Sequence, residues 1–181
     1  MQTCQPCINT SRLLLRPLEQ ADAATVRRLA GDRAIADTTL NIPHPYEVGM
    51  AEAWIDSLHS GFEAGEVVTF ALVLHGESQP LGAIGLRIDR SVGKADLGYW
   101  IGKPYWNSGY ATEAVRALLA YAFNDLDLSK ITARHLARNP ASGRVMQKVG
   151  MRLEGLIPRD TIKWGKYEDV VYYCILREDW G

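Results

Sequence analysis

Apolar positions recur with two periods along this chain, and the two periods predict alternating strands and helices. The run Val67–Leu74 is apolar and β-branched, and Ile84, Leu86 and Ile88 alternate with other residues, as expected for strands. The helical period is clearest in Ala111–Phe123, where apolar side chains recur every three or four residues. The sequence therefore predicts a protein that contains both strands and helices.

The remaining elements follow from turn and capping signals. The predicted strands are Arg12–Arg16, Val67–Leu74, Leu81–Ile88, Ala95–Ile101, Ile131–Leu136, Arg152–Ile157 and Val170–Leu176. The predicted helices are Gln20–Ala30, Glu47–Phe62, Ala111–Phe123 and a fourth that follows the N-cap Asn139, has Pro140 as its first residue and ends at Gly150, because Asn, Pro and Gly favour those positions. A strand–helix–strand unit usually has parallel flanking strands. The order predicts an α+β fold, with a mixed sheet and helices on its faces.

Composition limits the class of protein. The chain has 181 residues, which suits one domain at 11–181 after a flexible tail at 1–10. The net charge of -1 gives no overall field that would favour nucleic acid or an anionic membrane. The chain has no apolar run of about eighteen residues, and its polar N-terminus lacks the features of a signal peptide. We therefore expect a cytoplasmic protein with no nucleic-acid or membrane partner.

The cysteines do not predict a metal site. Cys4 and Cys7 have the spacing of a zinc or redox pair, but no second pair at metal spacing follows them. They are expected to be two reduced thiols, and no metal is expected.

The segment between Tyr99 and Glu113 combines the end of a strand, a loop of small residues and the start of an amphipathic helix. The first N–H groups of a helix point out of its end, and its dipole favours negative charge there. Gly109 would let the backbone approach an oxyanion closely. The segment predicts a phosphate cradle, although a plain strand-to-helix turn would look the same. It carries neither Gly-Lys-Ser/Thr nor Gly-x-Gly-x-x-Gly.

The residues on both sides of this loop indicate which kind of phosphate ligand it binds. Leu97–Ile101 followed by Tyr105–Ala114 resembles the acetyl-CoA signature of the GCN5-related N-acetyltransferase (GNAT) superfamily, in the branch that includes ribosomal-protein N-terminal acetyltransferases. Arg12–Arg16, Pro43–Tyr46 and Asn139–Met151 stand where that branch has further landmarks. The resemblance spans about Ser11 to Leu176, and it implies a mostly antiparallel sheet of about seven strands, with helices on both faces and a parallel pair around the cofactor-binding helix.

The resemblance also implies a site for acetyl-CoA as acetyl donor. The pyrophosphate is expected on the amides of Asn107–Thr112, and the pantetheine arm beside Tyr99–Ile101, where an amide would polarise the thioester carbonyl. The implied cofactor-binding residues are Tyr99, Trp100, Ile101, Trp106, Asn107, Ser108, Gly109, Tyr110, Ala111, Thr112, Asn139 and Ser142. The Pro43–Tyr46 loop resembles one that lines the acceptor pocket, which makes His44 and Tyr46 candidates for substrate binding.

The catalytic candidates are Asp96, Asn139 and Ser142. The tyrosine acid frequent in the superfamily would fall on Met146, which has no proton to donate, so Ser142 replaces it as the candidate donor to the leaving thiolate. Asp96 shares a strand face with Gly98 and Trp100, and it is either a general base, directly or through water, or a solvent-facing or salt-bridged carboxylate. Asn139 caps its helix, contacts the cofactor, or does both.

The expected reaction is direct attack of an acceptor amine on the thioester in a ternary complex. An α-amine is about a tenth neutral at pH 7, whereas a lysine amine is neutral about four times in ten thousand. Since no unmistakable base is present, with His44 and His135 only candidates by residue type, the sequence mildly favours an α-amine. A protein N-terminus and a small-molecule amine both remain open, and a homodimer is compatible with the sequence. The alternatives are a non-catalytic acetyl-CoA-binding module and an enzyme that uses the loop for another phosphate ligand.

Overall fold

The computed structural model describes residues 4–181, which form one eight-stranded sheet and five α-helices. The strands are β1 (Ile8–Asn9), β2 (Leu13–Pro17), β3 (Val67–Leu74), β4 (Pro80–Asp89), β5 (Lys94–Ile101), β6 (Lys130–Leu136), β7 (Arg152–Lys163) and β8 (Lys166–Leu176). The helices are α1 (Ala23–Ala30), α2 (Arg33–Thr38), α3 (Met50–Glu63), α4 (Tyr110–Asn124) and α5 (Pro140–Lys148). No helix in this described part is long and apolar enough to cross a membrane.

The sheet has the order β1-β2-β3-β4-β5-β6-β8-β7. All neighbouring strands pair antiparallel except β5 and β6, which are parallel and are joined through α4. This confirms the predicted α+β fold, with its mostly antiparallel sheet and one parallel pair around the helix at Tyr110–Asn124.

Two apolar layers cover the two faces of the sheet. One layer contains the buried side chains of α4, together with Leu97 and Ile101 of β5 and Met146 of α5. The other contains side chains of α1, α2 and α3, together with Trp100 of β5. Because successive side chains of a strand point to opposite faces, Leu97 and Trp100 belong to different layers. A ligand at the end of β5 would therefore meet different side chains on the two faces of this strand.

Several elements differ from the sequence-based prediction. The helix α2 was not predicted, and the helix predicted at Gln20–Ala30 begins as a short 3-10 turn before α1. The strands β7 and β8 extend through the segment between the predicted strands Arg152–Ile157 and Val170–Leu176 and turn only at 164–165. Part of the predicted flexible tail forms β1, whose Ile8 lies opposite Leu15, while residues 1–3 lie outside the described part.

Candidate functional site

The parallel strands β5 and β6 separate before they end. Their pairing runs from Lys94 and Lys130 to Leu97 and Ala133, yet β5 continues to Ile101 and β6 continues to Leu136. Over this last part, β5 is paired only with β4 on its other side. A gap lined by the unpaired edges of both strands therefore opens between the two ends.

Backbone groups of β5 point into this gap. On the β6 side, the carbonyl of Ala95 accepts from Thr132 Oγ1 at 3.3 Å, and the carbonyl of Ile101 accepts from Trp106 Nε1 at 2.6 Å. Peptide groups in a strand alternate in direction, so Tyr99, between those two residues, also presents its N–H and C=O toward the gap. These groups have the spacing needed to bond an extended ligand.

The loop that follows β5 exposes backbone N–H groups at the start of α4. Asn107 and Gly109 have positive φ angles of 60° and 81°, and residues 106–109 are exposed. The first helical bond runs from Glu113 N to Gly109 O at 3.1 Å, so the N–H groups of Tyr110, Ala111 and Thr112 precede it. Such a run of amides at a helix N-terminus binds anions well.

A carboxylate in the first turn of α4 is tied to the turn between β1 and β2. Glu113 accepts hydrogen bonds from Thr10 Oγ1 at 2.7 Å, Ser11 Oγ at 3.0 Å, Arg12 N–H at 2.8 Å and Arg12 Nε at 2.7 Å. Desolvation raises the pKa of this carboxyl, but the hydrogen bonds outweigh desolvation and lower the pKa to about 2. Glu113 is therefore ionised at neutral pH.

The guanidinium of Arg12 connects this carboxylate with the exposed loop. Its Nη1 donates to Ser108 O at 2.9 Å, and its Nη2 lies 2.7 Å from Glu113 Oε2. It also lies 4.7 Å from the ring centre of Tyr110, close enough for a cation–π contact. Arg12 thus contacts the loop, the first helical residue and the first-turn acid at once.

On the other side of the gap, Ser142 of α5 bonds to Tyr99. The Tyr99 hydroxyl lies 2.8 Å from Ser142 Oγ and donates to Ser142 O at 3.4 Å. Burial raises the pKa of Tyr99 to about 12, against the opposing effect of the Ser142 hydrogen bond. Tyr99 therefore keeps its proton at neutral pH. Met146, at the position of the superfamily's frequent tyrosine, is a buried core residue.

Asn139 does not cap α5 with its side chain. Its Nδ2 donates instead to Thr38 O, at the C-terminal end of α2, at 3.0 Å. Lys163 of β7 donates from Nζ to the next carbonyl, that of Thr39, and burial followed by repulsion from Arg138 lowers the pKa of this ammonium. Asn139 and Lys163 thus hold the two carbonyls at the end of α2. Asn139 occupies the predicted N-cap position of α5, but the alternative in which its side chain caps the helix was wrong, because that side chain makes no capping hydrogen bond.

Asp96 lies one residue before the point where β5 and β6 separate. Its Oδ1 accepts from Thr132 Oγ1 at 2.6 Å, and its Oδ2 lies 3.8 Å from Arg134 Nε. This partnered carboxylate has the ion-paired environment that was one of the two expectations for this residue, the other being a base role.

The candidate acceptor residues lie around the end of α1. His44 is exposed, with Nδ1 at 3.2 Å from Gly31 O, and Tyr46 packs against the layer that includes Trp100. Burial raises the pKa of Tyr46, and Glu52 raises it further. His135 is buried beneath α5, with its ring stacked on Tyr173 at 5.8 Å.

Comparison with known proteins agrees with this geometry. The family model for the acetyltransferase (GNAT) domain matches residues 12–152, which include the end of the β1–β2 turn, the gap, the loop and α5. The chain belongs to the GNAT acetyltransferase family. It is therefore an acyltransferase, and the resemblance drawn from the sequence is confirmed.

Individual relatives place this GNAT chain near N-acetyltransferases. It is 32% identical over 175 residues to the uncharacterized N-acetyltransferase YnaD of Bacillus subtilis, covering 96% of this chain and 99% of YnaD. A putative ribosomal N-acetyltransferase, YdaF of the same organism, is 34% identical over 93 residues, or 51% of each chain. The structure of Mycobacterium smegmatis RimJ in complex with CoA-disulfide aligns with a TM-score of 0.82 at 25% identity, covering 92% of this chain and 83% of that one.

Three contacts of this GNAT site were not anticipated from the sequence. Arg12 was predicted only as part of a strand and Glu113 only as part of the loop string, while Lys163 lay between two predicted strands and was given no role. The pair Thr10-Ser11 before Arg12 offered a weak signal, because hydroxyl side chains in turns often form local hydrogen bonds. Glu113, to which this turn bonds, lies about a hundred residues away, so no pattern of neighbouring residues could predict the contact.

Proposed function

We propose that this GNAT chain is an acetyl-CoA-dependent N-acetyltransferase that transfers the acetyl group to a primary amine by direct attack in a ternary complex. The observation that carries the proposal is the gap between β5 and β6. There a free strand edge leads directly to a loop of exposed amides at a helix N-terminus. An extended acyl donor with a diphosphate at one end matches both features.

The residues around the gap fit acetyl-CoA. The amides from Asn107 to Thr112 would hold the pyrophosphate, and the Tyr99 peptide groups would bond the pantetheine arm, as an added strand would. Trp106, Asn139 and Ser142 would flank the same path. When bound, the coenzyme supplies the activated acetyl thioester. The chain itself positions the reacting groups and supplies hydrogen-bond donors, which together account for most of the rate enhancement in reactions of this kind.

Ser142 is proposed to donate a proton to the departing thiolate, together with Tyr99. The Tyr99 hydroxyl lies 2.8 Å from Ser142 Oγ and stays protonated, so a proton that leaves Ser142 Oγ can be replaced from Tyr99. This pair would serve the departing thiolate in place of the tyrosine missing at position 146. Ser142→Ala should lower kcat, and an unchanged kcat at saturating acetyl-CoA would remove Ser142 from the mechanism.

Proton removal is assigned to Asp96, directly or through water. Its place next to the separation of β5 and β6 supports this role, while its bonds to Thr132 and Arg134 favour a purely structural one. The variant Asp96→Asn separates the two. A base role predicts loss of the rising limb in the pH profile of kcat/KM, whereas a structural role predicts lower stability with an unchanged profile.

The acceptor is proposed to be a primary amine, either the N-terminus of a protein or a small molecule. An α-amine requires less help from a base than a lysine amine, by about 3–4 kcal/mol at pH 7. The name of YdaF, a putative ribosomal N-acetyltransferase, is in keeping with a protein N-terminus. His44 and Tyr46 on the α2–α3 connection are the proposed acceptor contacts, and Asn139 and Lys163 hold the start of that connection.

The proposal is tested by following thiol release from acetyl-CoA with a panel of N-terminal peptides, polyamines and amino-acid-like amines. Turnover with at least one amine, and none without an amine, is the expected result. Tight binding of acetyl-CoA without turnover on any amine would instead support a non-catalytic binding module. Absence of acetyl-CoA binding would overturn both.

A further inference from the structure

We propose that Arg12 is a positioning residue for the coenzyme-binding loop, because it neutralises Glu113 and fixes the backbone from Ser108 to Tyr110. The proposal rests on the proposed function, since it assumes that the loop binds the phosphates of acetyl-CoA. It adds a residue from outside the loop, contributed by the turn before β2.

Charge at the start of α4 is the first reason for this role. Glu113 lies in the first turn of the helix, where a negative side chain interacts favourably with the helix dipole. A carboxylate there also repels the diphosphate that the same helix end would bind. Arg12 lies against this carboxylate through two nitrogens at 2.7 Å, so its charge offsets the repulsion. The side chain of Glu113 is only 15% exposed, which limits screening by solvent.

The backbone conformation of the loop is the second reason. Asn107 and Gly109 both have positive φ angles, so the loop holds an uncommon backbone path. Arg12 Nη1 donates to Ser108 O between them, and the guanidinium lies over the Tyr110 ring. A Cβ at Gly109 would lie 3.4 Å from Arg12 Nη2, which shows how closely the guanidinium packs on the loop. Arg12 therefore contacts both sides of the position where the chain turns into α4.

The test compares two acetyl donors. Acetyl-CoA carries the nucleotide phosphates, whereas S-acetylpantetheine has the same reacting end without them. Arg12→Ala should raise the KM for acetyl-CoA by about tenfold, or about 1.4 kcal/mol, because it leaves a carboxylate without its counter-charge at the anion-binding end of the helix. At saturating donor, kcat should change little, and the KM for S-acetylpantetheine should stay unchanged.

A second variant tests the charge directly. Glu113→Gln in the Arg12→Ala background removes the carboxylate that Arg12 offset, so the double variant should bind acetyl-CoA more tightly than Arg12→Ala. Its affinity should stay below that of the natural chain, because the contacts of Arg12 with the loop are still missing. Arg12→Lys keeps the charge but loses the two-nitrogen geometry, and it should fall between the natural chain and Arg12→Ala. Arg28→Ala, at an exposed position of α1, is the matched control and should not alter the KM for either donor.

The outcomes separate the two proposals. Equal weakening of both donors by Arg12→Ala would overturn the positioning role while leaving the proposed function intact. A double variant that binds acetyl-CoA no better than Arg12→Ala would overturn the charge-offset part of that role, and would leave the contacts of Arg12 with the loop as its only basis. Failure of the natural chain to bind acetyl-CoA in calorimetry would overturn both. If the chain binds but shows no turnover, the same comparison is made with dissociation constants, and the same two results decide it.

Discussion

The hydrogen-bonded carboxylate of Glu113 predicts a stability change that depends on pH. Its pKa falls from an ordinary 4.5 to about 2 in the folded chain. A carboxyl whose pKa is lower in the folded state stabilises the fold above its unfolded pKa, and this contribution is lost as the pH falls toward the folded pKa. At about 1.36 kcal/mol for each tenfold change in proton affinity, the full difference corresponds to about 3 kcal/mol. Glu113→Gln should lower the free energy of unfolding by less than this, by about 1–2 kcal/mol at pH 7. Solvent weakens the ion pair because Arg12 is partly exposed, and glutamine keeps one oxygen that can still accept hydrogen bonds.

Urea unfolding of the natural chain and Glu113→Gln at pH 7 and pH 3 measures this effect. The difference in unfolding free energy should be largest at pH 7 and should shrink below about pH 4.5, where the unfolded carboxyl takes up its proton. Glu52→Gln is a matched control, because Glu52 is an exposed acid in the first turn of α3, and its effect should stay within about 0.5 kcal/mol. A Glu113→Gln difference that is equal at the two pH values would show that the ionised carboxylate does not stabilise the fold.

Three further substitutions probe α5 and its contacts. Gly143→Ala would place a Cβ 2.7 Å from the buried Nε2 of His135. It should destabilise the fold by about 1–2 kcal/mol despite the better helix propensity of alanine, and an unchanged or higher Tm would contradict this. Tyr99→Phe removes the partner of Ser142 and should lower kcat while leaving the KM for acetyl-CoA within about twofold, and its loss of stability should be about 1 kcal/mol. Asn139→Ala releases the carbonyl at the end of α2, so steady-state kinetics should show a larger rise in the acceptor KM than in the acetyl-CoA KM; the reverse order would argue for coenzyme contact alone.

Much of the fold could be predicted from the sequence, because its central elements have strong periodic patterns. The strand at Val67–Leu74 has the predicted bounds, and α4 differs from prediction by one residue at each end. By contrast, α2 has only six residues, too few for a helical period to emerge. Its one local signal was Asp32, whose side chain accepts from Ala34 N–H at 2.8 Å as a helix cap.

The length of the hairpin β7–β8 was missed for a different reason. Its outer half is dominated by polar and exposed residues, such as Arg159 and Lys166, which resemble a solvated loop when read along the chain. Pairing between Ile162 and Tyr167 continues the strands nevertheless, since backbone hydrogen bonds do not require a buried side chain on both faces.

In the candidate site, features formed by consecutive residues could be predicted, whereas contacts between residues far apart in the sequence could not. The loop and the start of α4 could be anticipated because strand end, small residues and helix follow one another in the sequence. The Tyr99–Ser142 contact joins residues 43 apart, and the Asn139–Thr38 contact joins residues 101 apart. Contacts of this kind depend on which strands separate and which helices meet, so they become visible only in the folded chain.

Hydrogen exchange with and without acetyl-CoA reports on the backbone groups that line the gap between β5 and β6. A coenzyme site in this gap predicts slower exchange of the Tyr99 amide and of the amides from Asn107 to Thr112 when acetyl-CoA binds. Amides in β2 and β3, which lie on the far side of β4 in the sheet order, should not change. Binding of acetyl-CoA with no added protection at Tyr99 or in the loop would contradict the assignment of this gap as the coenzyme site.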